Sequence, residues 1–344
     1  MTARISRSLV VVAGLLVLWV SGCGRSADTA IESAAPAPAP PPEDALDSPT
    51  AYPLTVKDDL GTEVTIKAAP QRIVSLSPPI TETLFALGLS DRVAGVTSFC
   101  DYPPEAKDKE KVGGIIDPSE EKVVALQPDL VLATVGNPKP VLEAFARNGI
   151  TVYAVDAERY DKVVENVRTL ARICNVPEAG ERVAGEMEDA AEEIKAKVSG
   201  IAEDKRPRAL FVIWLDPLHV AGPGTYLDDM MKVCGAHNVA AETENPWKQY
   251  SVEMAVSADP DVLVIGAHQS VAPEDQESYI AELKANPQWA TVSAVRSGRI
   301  GFIHSDLVSR TGPRLAEGLR QLAAILHPDL FPPDAREAAK NDRP

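Results

Sequence analysis

Residues able to do chemistry are plentiful in this chain, but few are spaced for it. Five histidines stand at positions 219, 237, 268, 304 and 327. No two form the HExxH pair that puts ligands on one helical face, so no dedicated zinc or manganese site is expected. The four cysteines include no CxxC, which excludes a zinc-finger array and a disulfide-rich scaffold. Neither a GxSxG nucleophile elbow nor a Walker phosphate loop is present. Gly222-Pro223-Gly224 runs into Thr225-Tyr226-Leu227, which breaks the dinucleotide fingerprint. Carboxylates are abundant, yet no pair is marked out for acid–base work. The inventory favours a binding protein over an enzyme, with an exported α/β enzyme as the alternative of a different class.

Two carboxylates do stand out, by position. Ser119-Glu120-Glu121 is followed after six residues by Pro128-Asp129-Leu130-Val131-Leu132. Ser251-Val252-Glu253 is followed at the same spacing by Pro260-Asp261-Val262-Leu263-Val264. Each copy reads as a serine N-cap, a short helix with Glu at its second position, a Pro-Asp turn and a buried strand. Serine caps and first-turn acids suit a helix N-terminus by about 0.3–1 kcal/mol. That accounts for one copy, not for two halves presenting an acid at the same place. Two similar lobes, each with an exposed carboxylate at Glu121 or Glu253, suit docking to a basic partner.

The elements that must position these residues alternate. Leu54-Thr55-Val56 and Val64-Thr65-Ile66 flank Asp58-Asp59-Leu60-Gly61, a hairpin signal. Arg72–Leu76 is a β-branched run broken by Ser77-Pro78-Pro79, after which Thr81 is expected to cap a helix closed by Gly88. Short apolar strands are predicted at 93–96, 130–133, 151–155, 209–214, 262–265 and 300–303, and a helix near 313–326. Strands alternating with helices imply a mainly parallel sheet covered on both faces. Residues 178–203 read instead as one long polar helix with a stripe of Val183, Met187, Ala190, Ile194 and Val198. About 25 such residues would span roughly 37 Å, the length of a strut joining two bodies, or an ordinary surface helix.

The first thirty residues read as an address. Arg4 and Arg7 precede an apolar run from Leu9 to Val20, then Ser21, Gly22 and Cys23. This is a secretory signal shape, too short for a stable membrane span. Val20-Ser21-Gly22-Cys23 resembles the lipobox of bacterial lipoproteins, in which Cys23 would be lipidated. Ala35-Pro36-Ala37-Pro38-Ala39-Pro40-Pro41-Pro42 would form an extended tether. The expected organisation is a signal peptide over 1–22, tether over 23–53, N-terminal lobe over 54–177, linking helix over 178–203, C-terminal lobe over 204–331 and tail over 332–344. Of 344 residues, 34 are Lys or Arg and 50 are Asp or Glu, a formal charge of −16. Binding of nucleic acid through phosphate neutralisation is not expected from such a chain. Its 45% hydrophobic and 24% charged residues are ordinary globular values.

Arg72-Ile73-Val74-Ser75-Leu76-Ser77-Pro78-Pro79-Ile80-Thr81-Glu82-Thr83-Leu84-Phe85-Ala86-Leu87-Gly88 resembles the opening signature of the helical-backbone periplasmic solute-binding proteins of ABC importers. Further matching segments are Cys100–Ala106, Val124–Val131, Val233-Cys234-Gly235 with Asn238, and Ser305-Asp306 with Arg310 and Pro313-Arg314. The resemblance runs from about residue 54 to 327, and Asp101-Tyr102-Pro103-Pro104-Glu105-Ala106 is most similar to the cobalamin-binding members.

This resemblance implies α/β architecture: two Rossmann-like lobes with mainly parallel sheets, one long rigid helix between them and a ligand cleft between the lobes. It implies capture of a corrinoid, cobalamin, with haem or an iron-siderophore as the alternative. The protein itself would need no cofactor. Glu121 and Glu253 match the acids that engage a membrane permease with its cytoplasmic ATPase. Pro79, Phe99, Tyr102, His219, Trp247, His268, Asp306 and Arg310 are the implied ligand-binding residues. His219 or His268 is the candidate axial ligand to a cobalt or iron centre. Two positions that hold tryptophan in the best-known cobalamin binder fall near Ile115 and Thr134. The expected state is a monomer attached to the cell envelope through its lipid alone.

Overall fold

The computed structural model describes residues 49–241, 247, 249–267 and 272–332. The signal, Cys23, most of the tether, His268 and the tail lie outside the described residues. The N-terminal lobe opens with strands β1 (Leu54–Lys57) and β2 (Glu63–Ile66), paired antiparallel with Val56 opposite Val64. The Asp58 carboxylate accepts from the amides of Leu60 and Thr62, which closes the turn.

The chain then alternates through β3 (Ile73–Ser75), α1 (Pro78–Ala86), β4 (Val93–Val96), β5 (Glu110–Lys111), α2 (Glu120–Ala125), β6 (Leu130–Thr134), α3 (Lys139–Arg147), β7 (Thr151–Val155) and α4 (Tyr160–Ile173). These strands form a parallel sheet in the order β5-β4-β3-β6-β7.

Helix α5 (Pro177–Val198) follows, 22 residues long, or about 33 Å. The second lobe comprises β8 (Arg208–Leu215), β9 (Leu218–Val220), α6 (Tyr226–Val233), β10 (His237–Asn238), α7 (Val252–Ala258), β11 (Val262–Ala267), α8 (Pro273–Ala285), α9 (Ser293–Ser297), β12 (Ile300–His304), α10 (Asp306–Ser309) and α11 (Leu315–Leu326). Its parallel order is β10-β8-β11-β12, with β9 added antiparallel to β8. In both sheets the opening strand, β3 or β8, is flanked by two later strands, and the sheet's last strand lies outside them (β4-β3-β6-β7 and β10-β8-β11-β12). The two lobes are therefore topological repeats.

The sequence repeat marks the same structural joint twice. Ser119 and Ser251 cap α2 and α7, accepting from the amides of Lys122 and Met254. Gln127 and Asp259 each take positive φ, 47° and 40°, just before Pro128 and Pro260. Asp129 then accepts from the amides of Gln71 and Arg72, and Asp261 from that of Arg208. Arg72 and Arg208 return the contact, donating to Leu126 O and Ala258 O. Each motif pins the end of a helix to the start of its lobe's first strand.

Two expectations change. Helix α1 begins at Pro78, not after a Thr81 cap, with Ser77 extended at the N-cap position. Proline is tolerated in a first turn, where its missing N–H would be unpaired anyway. Thr81 is buried inside the helix, with its hydroxyl 2.8 Å from Ser75 Oγ. The long helix ends at Val198 rather than 203, because Ser199 and the poor helix former Gly200 follow its last apolar residue. Its stripe of Val183, Met187, Ala190, Ile194 and Val198 is buried. It packs against α4 and α11, within an apolar cluster that draws residues from both lobes.

Candidate functional site

Loops leaving the C-terminal ends of the parallel strands enclose a cleft of about 580 Å³, in the range of small-molecule sites. The N-terminal lobe contributes the start of α1 with Pro79 and Thr83, the loop after β6, and Asp156 and Glu158 after β7. The C-terminal lobe contributes the start of α6, Trp247, Ser309 and Thr311. Among the described residues the ionisable groups lining the cleft, apart from Tyr226, are Asp156 and Glu158; no lysine or arginine lines it. Hydroxyls, those of Ser77, Thr134 and Thr225 among them, and the Asn166 amide add further polarity.

Large apolar side chains stay exposed on the same strand-end segments. They are Phe99 after β4, Ile116 after β5, Val135 after β6, Trp214 near the end of β8, and Trp247. Ile116 is 74% exposed and Trp247 48%, which solvent alone does not favour. Asn137 holds the loops that carry two of them. Its amide oxygen accepts from Thr134 N at 2.8 Å, and its nitrogen donates to Ile115 O at 2.7 Å. Asn137 is buried, so these bonds are costly to lose. The sequence offered only a Gly136-Asn137-Pro138 turn as its signal.

A second cluster crosses from lobe to lobe. Glu82 on α1 accepts from Arg314 through both oxygens, at 2.8 and 2.7 Å, and from Arg310 at 3.1 Å. Arg310 also reaches Asp101 at 2.6 Å and Asp306 at 3.0 Å. The Arg314 guanidinium stacks 3.8 Å from the Tyr102 ring centre. Partial burial pushes the Asp101 carboxyl up, but the hydrogen bond and charge of Arg310 outweigh it and hold it below the ordinary range.

The expected ligand residues thus separate. Pro79 and Trp247 line the cleft, and Trp247 leans on buried Tyr226 with ring centres 5.6 Å apart. Burial pushes the Tyr226 phenol up. Phe99 is exposed on the loop after β4 and is not among the cleft-lining residues. Tyr102, Asp306 and Arg310 meet in the cross-lobe cluster. His219 lies on β9 opposite Trp214 and Gln249, and is not among the cleft-lining residues. Its Nδ1 is 2.9 Å from Pro217 O. A carbonyl can only accept, so in the neutral ring Nδ1 holds the proton and Nε2 the lone pair. Among the described residues no group of three His, Cys, Asp or Glu could hold a metal. Cys100, Cys174 and Cys234 are buried free thiols, and burial pushes that of Cys174 up to about 12.

The family profile described as periplasmic binding protein matches residues 73–307. The chain belongs to that family. It is 31% identical over 323 residues to an uncharacterised ABC transporter substrate-binding lipoprotein of Bacillus subtilis, covering 92% of this chain and 96% of that one. It is 31% identical over 267 residues to the vitamin B12-binding protein of Pectobacterium atrosepticum, covering 75% and 89%. The structure of a periplasmic haem-binding protein from Roseiflexus sp. RS-1 superposes with a TM-score of 0.65 at 29% identity, covering 76% and 99%. The protein is therefore a substrate-binding protein of the ABC-transporter type, in the group that includes vitamin B12 and haem binders.

In this family member the two repeat acids are exposed at matching places. Glu121 and Glu253 each occupy the second position of their helix, α2 and α7. Gln288 donates to Glu253 at 3.0 Å; that bond and the N-terminal amides hold its carboxyl below the ordinary range. In the other lobe Asn148 donates instead to Glu120, at 2.8 Å. Among the described residues no helix is long and apolar enough to cross a membrane.

Proposed function

We propose that this protein captures a corrinoid of the cobalamin type and passes it unchanged to a membrane permease. The observation that carries this reading is the chemistry of the cleft. Val135 and Trp247, lining side chains that stay exposed, suit the face of a large flat ring, and hydroxyls with an amide suit the amide fringe of a corrin. Haem carries two carboxylates, and ferric siderophores are commonly anionic. Either would face Asp156 and Glu158 with no lining cation among the described residues, an arrangement that like-charge repulsion opposes. Arg310, the cation expected to meet an anionic chelate, is engaged by three carboxylates. The vitamin B12-binding relative at 31% identity supports the same ligand.

Haem is the second reading, favoured by the Roseiflexus structure. Titration of the protein with cyanocobalamin, haemin and a ferric siderophore, followed by absorbance and calorimetry, separates the three. Stoichiometric cyanocobalamin binding with no Soret shift from haemin is expected. A Soret shift without cobalamin binding would replace the corrinoid reading with haem and make His219 and Tyr102 the first residues to test as iron ligands.

Delivery is assigned to Glu121 and Glu253, and attachment to a lipid on Cys23. The ligand is returned without chemical change, so the role is transport rather than catalysis.

A further inference from the structure

We infer that Glu82, Arg310 and Arg314 are positioning residues, which tie the lobes at the angle that forms the cleft and thereby slow the exit of ligand. Glu82 belongs to the N-terminal lobe, and both arginines follow β12 in the C-terminal lobe. The Glu82 side chain is only 2% exposed, while its carboxylate takes three guanidinium contacts. Among the described residues, every ion pair that runs between the lobes uses one of these three side chains.

The tie sits beside the cleft. Glu82 is flanked on α1 by Pro79 and Thr83, and Arg310 by Ser309 and Thr311, all four of which line the cavity. The backbones meet at the same seam. A Cβ on Gly312 would stand 3.1 Å from Pro79 O, so only glycine allows this approach without a shift. Arg310 extends the tie to Asp101, and Arg314 to the Tyr102 ring, so the loop bearing Phe99 and Tyr102 is drawn toward the opposite lobe.

Parting the lobes would break three charge-assisted hydrogen bonds to Glu82 at once, each stronger than a neutral one. The empty protein is therefore held near its ligand-ready width. Loss of the tie should widen the distribution of lobe positions and act mainly on the off-rate, as expected when a buried charge pair is broken.

The test pairs a distance with a rate. Spin labels at Lys139→Cys on α3 and Lys284→Cys on α8, in a Cys23→Ser background, report the separation between the lobes. Both sites are exposed, whereas Cys100, Cys174 and Cys234 are buried. In Glu82→Gln the distance distribution of the ligand-free protein should broaden toward longer values. Cyanocobalamin should leave about tenfold faster. A lowered melting temperature with unchanged distances would overturn the proposal and leave the cluster a plain stabilising contact.

Should Glu82→Gln fail to fold, Asp101→Asn removes one arm while Glu82 stays paired. It should raise the off-rate roughly two- to threefold, and no change in rate or distance would again overturn the tie. The rate arm rests on the corrinoid reading; the distance arm does not. A protein that ignores cyanocobalamin would sink that reading and leave the distances to decide the tie.

Discussion

Trp247 shows how a residue's surroundings define its part. It is half exposed at the cleft, and buried Tyr226 backs its indole. A stacking platform of this kind contributes on the order of 1 kcal/mol beyond the area it covers. Trp247→Ala should weaken cyanocobalamin about tenfold, equivalent to about 1.4 kcal/mol, with little change in melting temperature. An unaltered dissociation constant in a calorimetric titration would return Trp247 to loop packing. Arg310 teaches the opposite lesson. Its i,i+4 partner Asp306 is visible in sequence, but Glu82 and Asp101 are 228 and 209 residues away. No local pattern could announce that this cation was already engaged.

At the scale of elements, the repeated Ser-x-Glu…Pro-Asp segment carries more than an N-cap. It joins a capped helix, a left-handed residue, a proline and a strand-start carboxylate into one joint, used in each lobe. The consequence is that Glu121 and Glu253 are offered on equivalent first turns. Reversing both charges, Glu121→Arg with Glu253→Arg, should abolish uptake of labelled cyanocobalamin into cells while leaving the affinity of the purified protein within about twofold. Lost affinity would instead place these acids in ligand binding. Helix α1 was misread at its start because Ser77-Pro78-Pro79 is ambiguous: the same residues that end a strand also open a helix.

At the scale of the whole molecule, α5 acts as a spine. Its apolar stripe is buried along the helix from Val183 to Ile194 in a core that both lobes share. Ahead of the described residues, Val20-Ser21-Gly22-Cys23 carries the fourth cysteine, the proposed site of a lipid. Cys23→Ser should shift the protein from the membrane to the soluble fraction of fractionated cells, and an unchanged membrane fraction would defeat the lipid anchor. The formal charge of −16 suits docking to a basic partner, as proposed for Glu121 and Glu253.

The amino-acid sequence by itself determined the alternation of strands and helices, the repeat and its two acids, and the spine. These depend on periodicity, capping and turn chemistry, which act over a few residues. It did not determine the cross-lobe tie, the exposure of Ile116, Val135 and Trp214, or the absence of lining cations among the described residues. Those are properties of side chains brought together from distant segments. Only the packing of two lobes around α5 decides which charges are engaged and which apolar surfaces remain open for a ligand.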